Sequence, residues 1–340
     1  MSSVETVVAD VRERGDAAVA DWAERFDGVE PARAEPAGEI PETAVLALAD
    51  AVRRWHELQR PADLAEEILP GVVLERRWLP LASVGIYVPR RLVSTLVMCA
   101  VPAQVAGIER IVVVTPPEGA AIVARAAELL GLDEVWAVGG PQAIAALAYG
   151  AGPIGPVDKI VGAGNAFVNE AKLLVAHDVA VDLPAGPSEV VVLASEGADL
   201  SVAELELAAQ REHGPDAVCR LVEADGDLED ALARVEELAP EHLVLLGEEA
   251  EALVPRVRNA GAVFVGSWSP VAAGDYATGG NHVLPTGGRA RAVGGLGLEA
   301  FLKPVTVQRL TREGLDGVRP VVEALAALEG MPAHAEAVRR

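Results

Sequence analysis

The sequence predicts an α/β protein of two open parallel-sheet, Rossmann-like units with helical extensions at the N- and C-terminal ends. Three observations predict it. Short apolar runs, VGIYVP (84–89), RIVVVTPP (110–117), EVVVLAS (189–195) and HLVLL (242–246), are each bounded by turn residues. Stretches of helical period stand between them, so strand and helix alternate, the pattern of a parallel sheet with helices on its faces. The alternation is interrupted near 182–187 and then resumes, which divides it into two units.

Taken in order, Ser2-Ser3-Val4-Glu5 reads as a capping box, with Val4, Val7, Val8 and Val11 at helical spacing behind it. Helices are expected at 16–25 and 43–59, the latter stopped by Pro61. These make residues 1–82 an N-terminal helical region, expected to pack on the second α/β unit. Residues 83–186 are the first unit, with strands at 84–89, 110–117, 134–140 and 159–164 and helices at 94–107, 120–130, 142–149 and 166–177. Residues 187–300 are the second, with strands at 189–195, 217–224, 242–246 and 262–267 and helices at 202–211, 228–238 and 248–259. From 268 to 298 the text turns glycine-rich and reads as loop. Residues 301–340 return to helix, with Val318, Val321, Val322, Leu325 and Leu328 on one face.

The 28 Lys and Arg against 51 Asp and Glu leave a formal net charge of −23. A chain this acidic repels phosphate backbones and anionic lipid, so neither nucleic acid nor membrane is an expected partner. The opening residues carry no secretory signal and no apolar run approaches the ~18 residues that span a bilayer. The cytoplasm is therefore the expected compartment. Cys99 and Cys219 stand far apart in apolar runs and read as reduced thiols.

Six histidines are candidates for chemistry. His56 and His177 fall on polar faces of expected helices and read as surface residues. The others lie at strand or helix ends, and ligands in open parallel sheets collect outside the carboxyl ends of strands. Gln210 and His213 are three apart at a helix end that halts at Gly-Pro; they share a face that either binds something or closes the helix against its dipole. Glu241-His242 follows Pro240 where a strand begins. An acid beside an imidazole suits paired proton transfers, and a solvated turn is the other reading. Asp275 and His282 share the glycine-rich segment. Gln210, His213, Asp275 and His334 together offer N and O donors without thiolate, a set that suits Zn²⁺ or a similar ion in an open site. VGAGNAF (161–167), between strand and helix, could set backbone against a phosphate.

VGGPQAIAALAYG (138–150), VDKIVGAGNAFVNEAK (157–172), VDLPAGPSEV (181–190), QREHGPD (210–216), APEHL (239–243), NAGAVFVGSWSP (259–270), GDYATGGNHVLPT (274–286) and EGMPAHAEAV (329–338) together resemble the histidinol dehydrogenase family. The likeness runs in order from about residue 80 to the end, with a weaker echo in DVRERGDAAV. The resemblance implies zinc, one ion per subunit, on Gln210, His213, Asp275 and His334, and an acid-base pair in Glu241 and His242. It implies substrate contacts from Ser188, His282, Glu329 and Ser94, beside His242 and the four metal ligands, and NAD contacts from Tyr87, Gln142 and Asn165. It implies an intertwined homodimer in which the C-terminal segment reaches the partner's site. The implied reaction oxidises L-histidinol to L-histidine, in histidine biosynthesis, with two NAD⁺ and one water.

The chain departs from the family pattern in three places. YVPRRLVST carries Arg90 and Arg91 where members read Y-V-P-G-G, and is shorter; the arginines either pair with a phosphate of the dinucleotide, NADP included, or lie in a solvated turn. The stretch between His213 and Glu241 lacks a long insert, and the N-terminus is abbreviated. A dehydrogenase of another small alcohol, such as a sulfonated diol, would keep the same metal and base. A zinc hydrolase would need no nicotinamide site, and a non-catalytic paralogue no acid-base pair.

Overall fold

The computed structural model describes residues 3–182, 186–224 and 226–339. Ser2 of the expected capping box and the middle of the expected junction, 183–185, lie outside the described residues. The chain forms two compact units, one of residues 3–59 and 81–301, the other of 60–80 and 302–339.

The larger unit opens with α1 (Val4–Arg14) and α2 (Asp16–Asp27). Ser3 caps α1 by accepting the Thr6 amide, and Val4, Val7, Val8 and Val11 are buried as their spacing requires. Contrary to the expectation from sequence, these helices do not pack on the second α/β unit. They cover α6 (Gly140–Tyr149) and α7 (Ala166–Val175) of the first, in one core with Ile144, Leu147 and Val168. The apolar stripe of a helix specifies that it is covered, not by which neighbour. A third helix, Glu42–Glu57 (α3), packs on α4 (Val93–Ala106), a helix apolar on all sides and almost wholly buried, and also touches α5 (Ala120–Leu129).

The first sheet runs in the order β1-β6-β5-β4-β7-β8, with β1 (Ala32–Arg33), β4 (Ser83–Tyr87), β5 (Arg110–Thr115), β6 (Val135–Ala137), β7 (Lys159–Val161) and β8 (Ala180–Val181). All pairs are parallel except β1 with β6. Chain order spreads from β4 to one side and resumes at β7 on the other. The crevice beyond the carboxyl ends of β4 and β7 is therefore the topological switch point.

The second sheet, entirely parallel, runs β10-β9-β11-β12, with β9 (Glu189–Ala194), β10 (Val218–Glu223), β11 (His242–Leu246) and β12 (Ala262–Val265). Alternate residues of β9 serve two cores. Val191 and Leu193 pack with Leu232 and Val235 of α9 (Leu228–Leu238), and Val190 and Val192 with Ala203 and Leu207 of α8 (Leu200–Arg211). The expected helix at 248–259 is only Glu248–Glu251 (α10) followed by a 3₁₀ turn, because Pro255 cannot continue it. The expected loop after 268 contains a short helix, Val271–Tyr276 (α11).

The smaller unit corrects two expectations. Residues 64–80 belong to no helix: β2 (Leu64–Leu69) and β3 (Val72–Pro80) form a hairpin. β13 (Leu302–Leu310), where helix was expected, pairs antiparallel with β3 along its whole length. Only then follow α12 (Arg312–Leu328) and α13 (Pro332–Ala337). β2 is exposed throughout, and Leu64, Ile68, Leu69, Val321, Leu325 and Leu328 stand open to solvent. No helix among the described residues is long and apolar enough to cross a membrane.

Candidate active site

Two places in the larger unit gather the residues singled out from sequence. The first is at the amino end of the second sheet, where β9 begins at Glu189 and β11 at His242. The expectation of a site at carboxyl ends fails here. Helices return antiparallel to the strands, so the last turn of α8, with Gln210, comes to that same end.

Ala239, in left-handed backbone at φ 48°, turns the chain out of α9 and into Pro240-Glu241-His242. Glu241 and His242 are both buried. Glu241 Oε2 accepts from Ser188 Oγ at 2.7 Å and from the Glu189 amide at 2.8 Å. Burial nevertheless dominates those bonds and pushes its carboxyl up to about 7. Ser188, expected to touch substrate, thus spends its hydroxyl on Glu241. His242 Nδ1 lies 3.0 Å from the Glu189 carbonyl and 3.5 Å from Glu241 Oε2. An N–H at Nδ1 that donates to the carbonyl leaves the lone pair on Nε2, which is buried without a hydrogen-bond partner among the described residues. Burial also holds the imidazole below its ordinary pKa, in opposition to Asp275, whose Oδ1 is 4.0 Å from Nε2.

Asp275, on α11, has its carboxyl raised by burial. His282 Nδ1 meets the Asp275 carbonyl at 3.2 Å, and burial takes this imidazole down to about 4. Gln210 is 2% exposed and its Nε2 is buried without a partner among the described residues. His213 lies just past the end of α8 and is exposed, and is an electrostatic neighbour of His242, Asp275 and His282. The structure thus gathers Gln210, His213, Glu241, His242, Asp275 and His282. It leaves Glu329 and His334 exposed in the smaller unit. Ser94 is half-buried in the first turn of α4.

One supporting residue here is not announced by the sequence. Glu206, one turn before Gln210, is buried and its Oε2 accepts the Val271 amide at 3.1 Å, which fastens α8 to the start of α11. Its raised pKa is owed to burial first and to Asp275 last. A carboxylate four residues before a glutamine is the signal, visible only once the partner helix is known. His56, expected at the surface, is fully buried, with Nδ1 2.7 Å from the Val52 carbonyl.

The second place is a cavity of about 570 Å³ at the switch point of the first sheet, lined among others by Tyr87, Arg90, Pro116, Glu118, Gly140 and Asn165. Tyr87 Oη accepts the Gly140 amide at 3.2 Å, and Asn165 caps α7 through the Val168 amide at 3.1 Å. Gln142 does not line the cavity; it is fully buried behind Gly140, with Nε2 3.2 Å from Asp27 Oδ2. Asp27, at the end of α2, also accepts the Gly139 amide at 3.1 Å and is another unforeseen support. Arg90 adopts φ 41°, the left-handed region that favours glycine, and its guanidinium lies 3.6 Å from Glu118. At 73% exposure that pair is solvated.

Among the described residues no group of three or more His, Cys, Asp or Glu side chains converges as a metal centre. The larger unit supplies His213 and Asp275 with the amide of Gln210, a set whose third donor is neither an imidazole nor a carboxylate. Those donors fit zinc chemistry: Gln210 presents an unpartnered buried amide, and turning it over puts an oxygen, a hard ligand, in the same place.

Comparison with known proteins gives the family. The family model described as histidinol dehydrogenase matches residues 1–233 and 224–340. The two matches meet inside the stretch between His213 and Glu241 that the sequence reads as shortened. The histidinol dehydrogenase of Methanothermobacter thermautotrophicus is 40% identical over 395 aligned positions, covering 100% of this chain and 93% of its own. That of Methanosarcina mazei is 38% identical over 392 positions, covering 99% and 90%. The crystal structure of histidinol dehydrogenase from Elizabethkingia anophelis superposes with a TM-score of 0.90 at 32% identity, covering 98% of this chain and 90% of that one. An acetylating aldehyde dehydrogenase from Geobacillus thermoglucosidasius shares the fold alone, at a TM-score of 0.51 and 14% identity, covering 89% and 90%. The chain belongs to the histidinol dehydrogenase family.

Proposed function

We propose that the protein oxidises L-histidinol to L-histidine in two NAD-dependent steps. The observation that carries this reading is the buried Glu241–His242 pair, with the Nδ1 of His242 occupied by the Glu189 carbonyl and its Nε2 free. A primary alcohol gives up hydride only as its proton is drawn away, and Nε2 of a neutral imidazole is the base for that proton. Each oxidation moves a hydride to NAD⁺, which supplies the redox chemistry when bound in the switch-point cavity. The aldehyde must take up water before a second hydride can leave. Two donors hold Glu241 Oε2, so Oε1 faces that water, orients it and accepts its proton. The hydrated aldehyde then loses hydride from carbon and a proton from oxygen to give the carboxylic acid, which releases a second proton and leaves the carboxylate of histidine.

Gln210, His213 and Asp275, with His334 from a partner subunit, would hold a zinc ion. Its chemistry there is to bind and orient the substrate's amine and imidazole. Tyr87 and Asn165 would contact the dinucleotide directly, whereas the burial of Gln142 favours a supporting role behind Gly140. His282 lies against Asp275 and would meet the substrate from the same side as the metal.

The test measures NADH formed from L-histidinol by the purified protein, with and without a strong chelator. Two NADH per histidinol, abolished by chelator and restored by Zn²⁺, is the expected result. Turnover that stops at one NADH, or proceeds undiminished in chelator with no bound metal, overturns the reading. His213→Ala should reduce bound zinc well below one ion per chain while leaving the folded state intact, as metal analysis and circular dichroism would report.

A further inference from the structure

Lys172 and Asp182 form an ion pair at 2.5 Å with side chains only 1% and 3% exposed, and no step of the chemistry above employs them. Burying two charges is costly, and a well-packed apolar pair often serves stability as well. What the pair holds is therefore informative. Asp182 Oδ2 accepts the Gly162 amide at 2.6 Å, and Lys172 Nζ donates to the Gly162 carbonyl. Both polar groups of one residue are thus gripped by one ion pair. Three residues before Lys172 on the inner face of α7, Asn169 Nδ2 donates to the Gly164 carbonyl at 3.0 Å.

The gripped residue sits at a decisive place. Gly162 follows β7 directly, on one side of the switch point, and Tyr87 ends β4 on the other. Gly162 has φ 113°, and a Cβ there would collide with the Tyr87 carbonyl oxygen. Its position fixes how closely the two strand ends approach. Three residues on, Asn165 begins α7 on the cavity wall. A shift of the Gly162–Gly164 turn would therefore displace both Tyr87 and Asn165.

We propose that Lys172 and Asp182 are positioning residues for the dinucleotide: by clasping Gly162 they preset the turn between β7 and α7 before the cofactor arrives. This rests on the reading of the switch-point cavity as the nicotinamide dinucleotide site. Preorganisation of this kind acts on affinity, because the ordering cost is met in the free protein and not at binding.

The test is the double variant Lys172→Met/Asp182→Asn, which removes both charges together and leaves neither partner buried alone. The side-chain carbonyl that replaces the Asp182 carboxylate can still accept the Gly162 amide, but the ammonium bond to the Gly162 carbonyl is gone. The variant should fold, with NAD⁺ Kd by calorimetry raised at least tenfold, kcat at saturating NAD⁺ within about threefold of wild type, and zinc content unchanged. A folded variant that binds NAD⁺ as wild type does would show the pair to be core packing only and overturn the proposal. The control variants Arg90→Gly and Phe167→Ala, at two residues that line the cavity, alter its wall itself. If they also leave NAD⁺ affinity unchanged, it is the cavity assignment that fails. Hydrogen exchange on the wild-type protein gives a test that no folding defect can obscure. The Gly162 amide, held by Asp182, should exchange as slowly as those of β7 without NAD⁺ and gain little protection on its addition. Fast exchange that slows only with NAD⁺ would mean the turn is ordered by the ligand, contrary to the proposal.

Discussion

Glu241 and His242 are chain neighbours that burial drives in opposite directions, the carboxyl up to about 7 and the imidazole down. Both shifts favour the neutral form, and only one of the two neutral groups is a base. His242 is thus ready to take a proton in the ordinary pH range, while Glu241 becomes a base only as pH rises through about 7. Oxidation of supplied L-histidinaldehyde should therefore climb with pH through that region, and the climb should vanish in Glu241→Gln. Glu241→Gln should slow the aldehyde step by about 10²-fold or more, on the order of a general base's contribution, and alcohol oxidation much less. His242→Ala should do the reverse. Stopped-flow NADH traces with each substrate check this, and equal losses for both substrates in both variants would sink the division of roles. At this scale the sequence was informative where chemistry is written in one short string, as in Pro240-Glu241-His242. It was silent where the partner comes from elsewhere: nothing in Ser188 or Glu189 announces that they hold Glu241, and nothing in Asp27 that it braces Gln142.

Among elements, α8 and α11 are joined by a buried carboxylate beside their apolar packing. Glu206 accepts the first amide of α11, and Asp275 lies on that helix. Glu206→Ala should release the helix start, with a loss of about 1 kcal/mol typical of a lost cap, and weaken zinc binding by roughly 10–100-fold, as outer supports of metal ligands do. Glu206→Gln, which keeps an acceptor oxygen, should recover most of the affinity. Competition with a chromophoric chelator measures both, and equal zinc affinity in wild type and Glu206→Ala would refute the bracing role. His56 joins α3 to the glycine-rich segment, with Asn281 Nδ2 3.5 Å from its Nε2. Burial lowers its pKa from the ordinary 6.5, so the unfolded chain takes up the proton first. Its contribution to stability is whole above 6.5 and declines as pH falls below. The fall in Tm between neutral pH and pH 5 should be smaller in His56→Gln than in wild type, by at least about 2 °C; parallel curves would argue against it. The burial of His56 departs from the sequence expectation because a polar helix face predicts exposure until another segment folds over it. β13 departs from it for a kindred reason. LKPVTVQRL lies exposed on most of its length, so no two-residue alternation of burial marks it, and its partner β3 is far away in sequence.

For the whole molecule, the order of elements from residue 83 onward was legible almost throughout, because alternation of strand and helix is a local pattern. The smaller unit was not, because it is assembled from the two ends of that pattern. Its exposed apolar side chains, Leu64, Ile68, Leu69, Leu325 and Leu328, ask for a cover. The homodimer that the family resemblance implies would supply one, with Glu329 and His334 of each chain completing the other's site. Co-refolding an inactive Glu241→Gln/His242→Ala chain with an inactive His334→Ala chain should then restore activity, since one site of the mixed dimer holds every wild-type group. Mixed dimers as dead as their parents would exclude the shared site. The same sheet has a consequence for the nascent chain. Its hairpin ends at Pro80 and its third strand begins only at Leu302. At roughly 5–20 residues per second of synthesis, β3 leaves the ribosome with an open edge and waits on the order of ten to forty seconds for its neighbour. Throughout that interval the edge is a template for any passing strand. Ribosomes queued on one message would bring such edges close together, which makes expression yield of this protein sensitive to translation speed and to chaperones that shield extended segments.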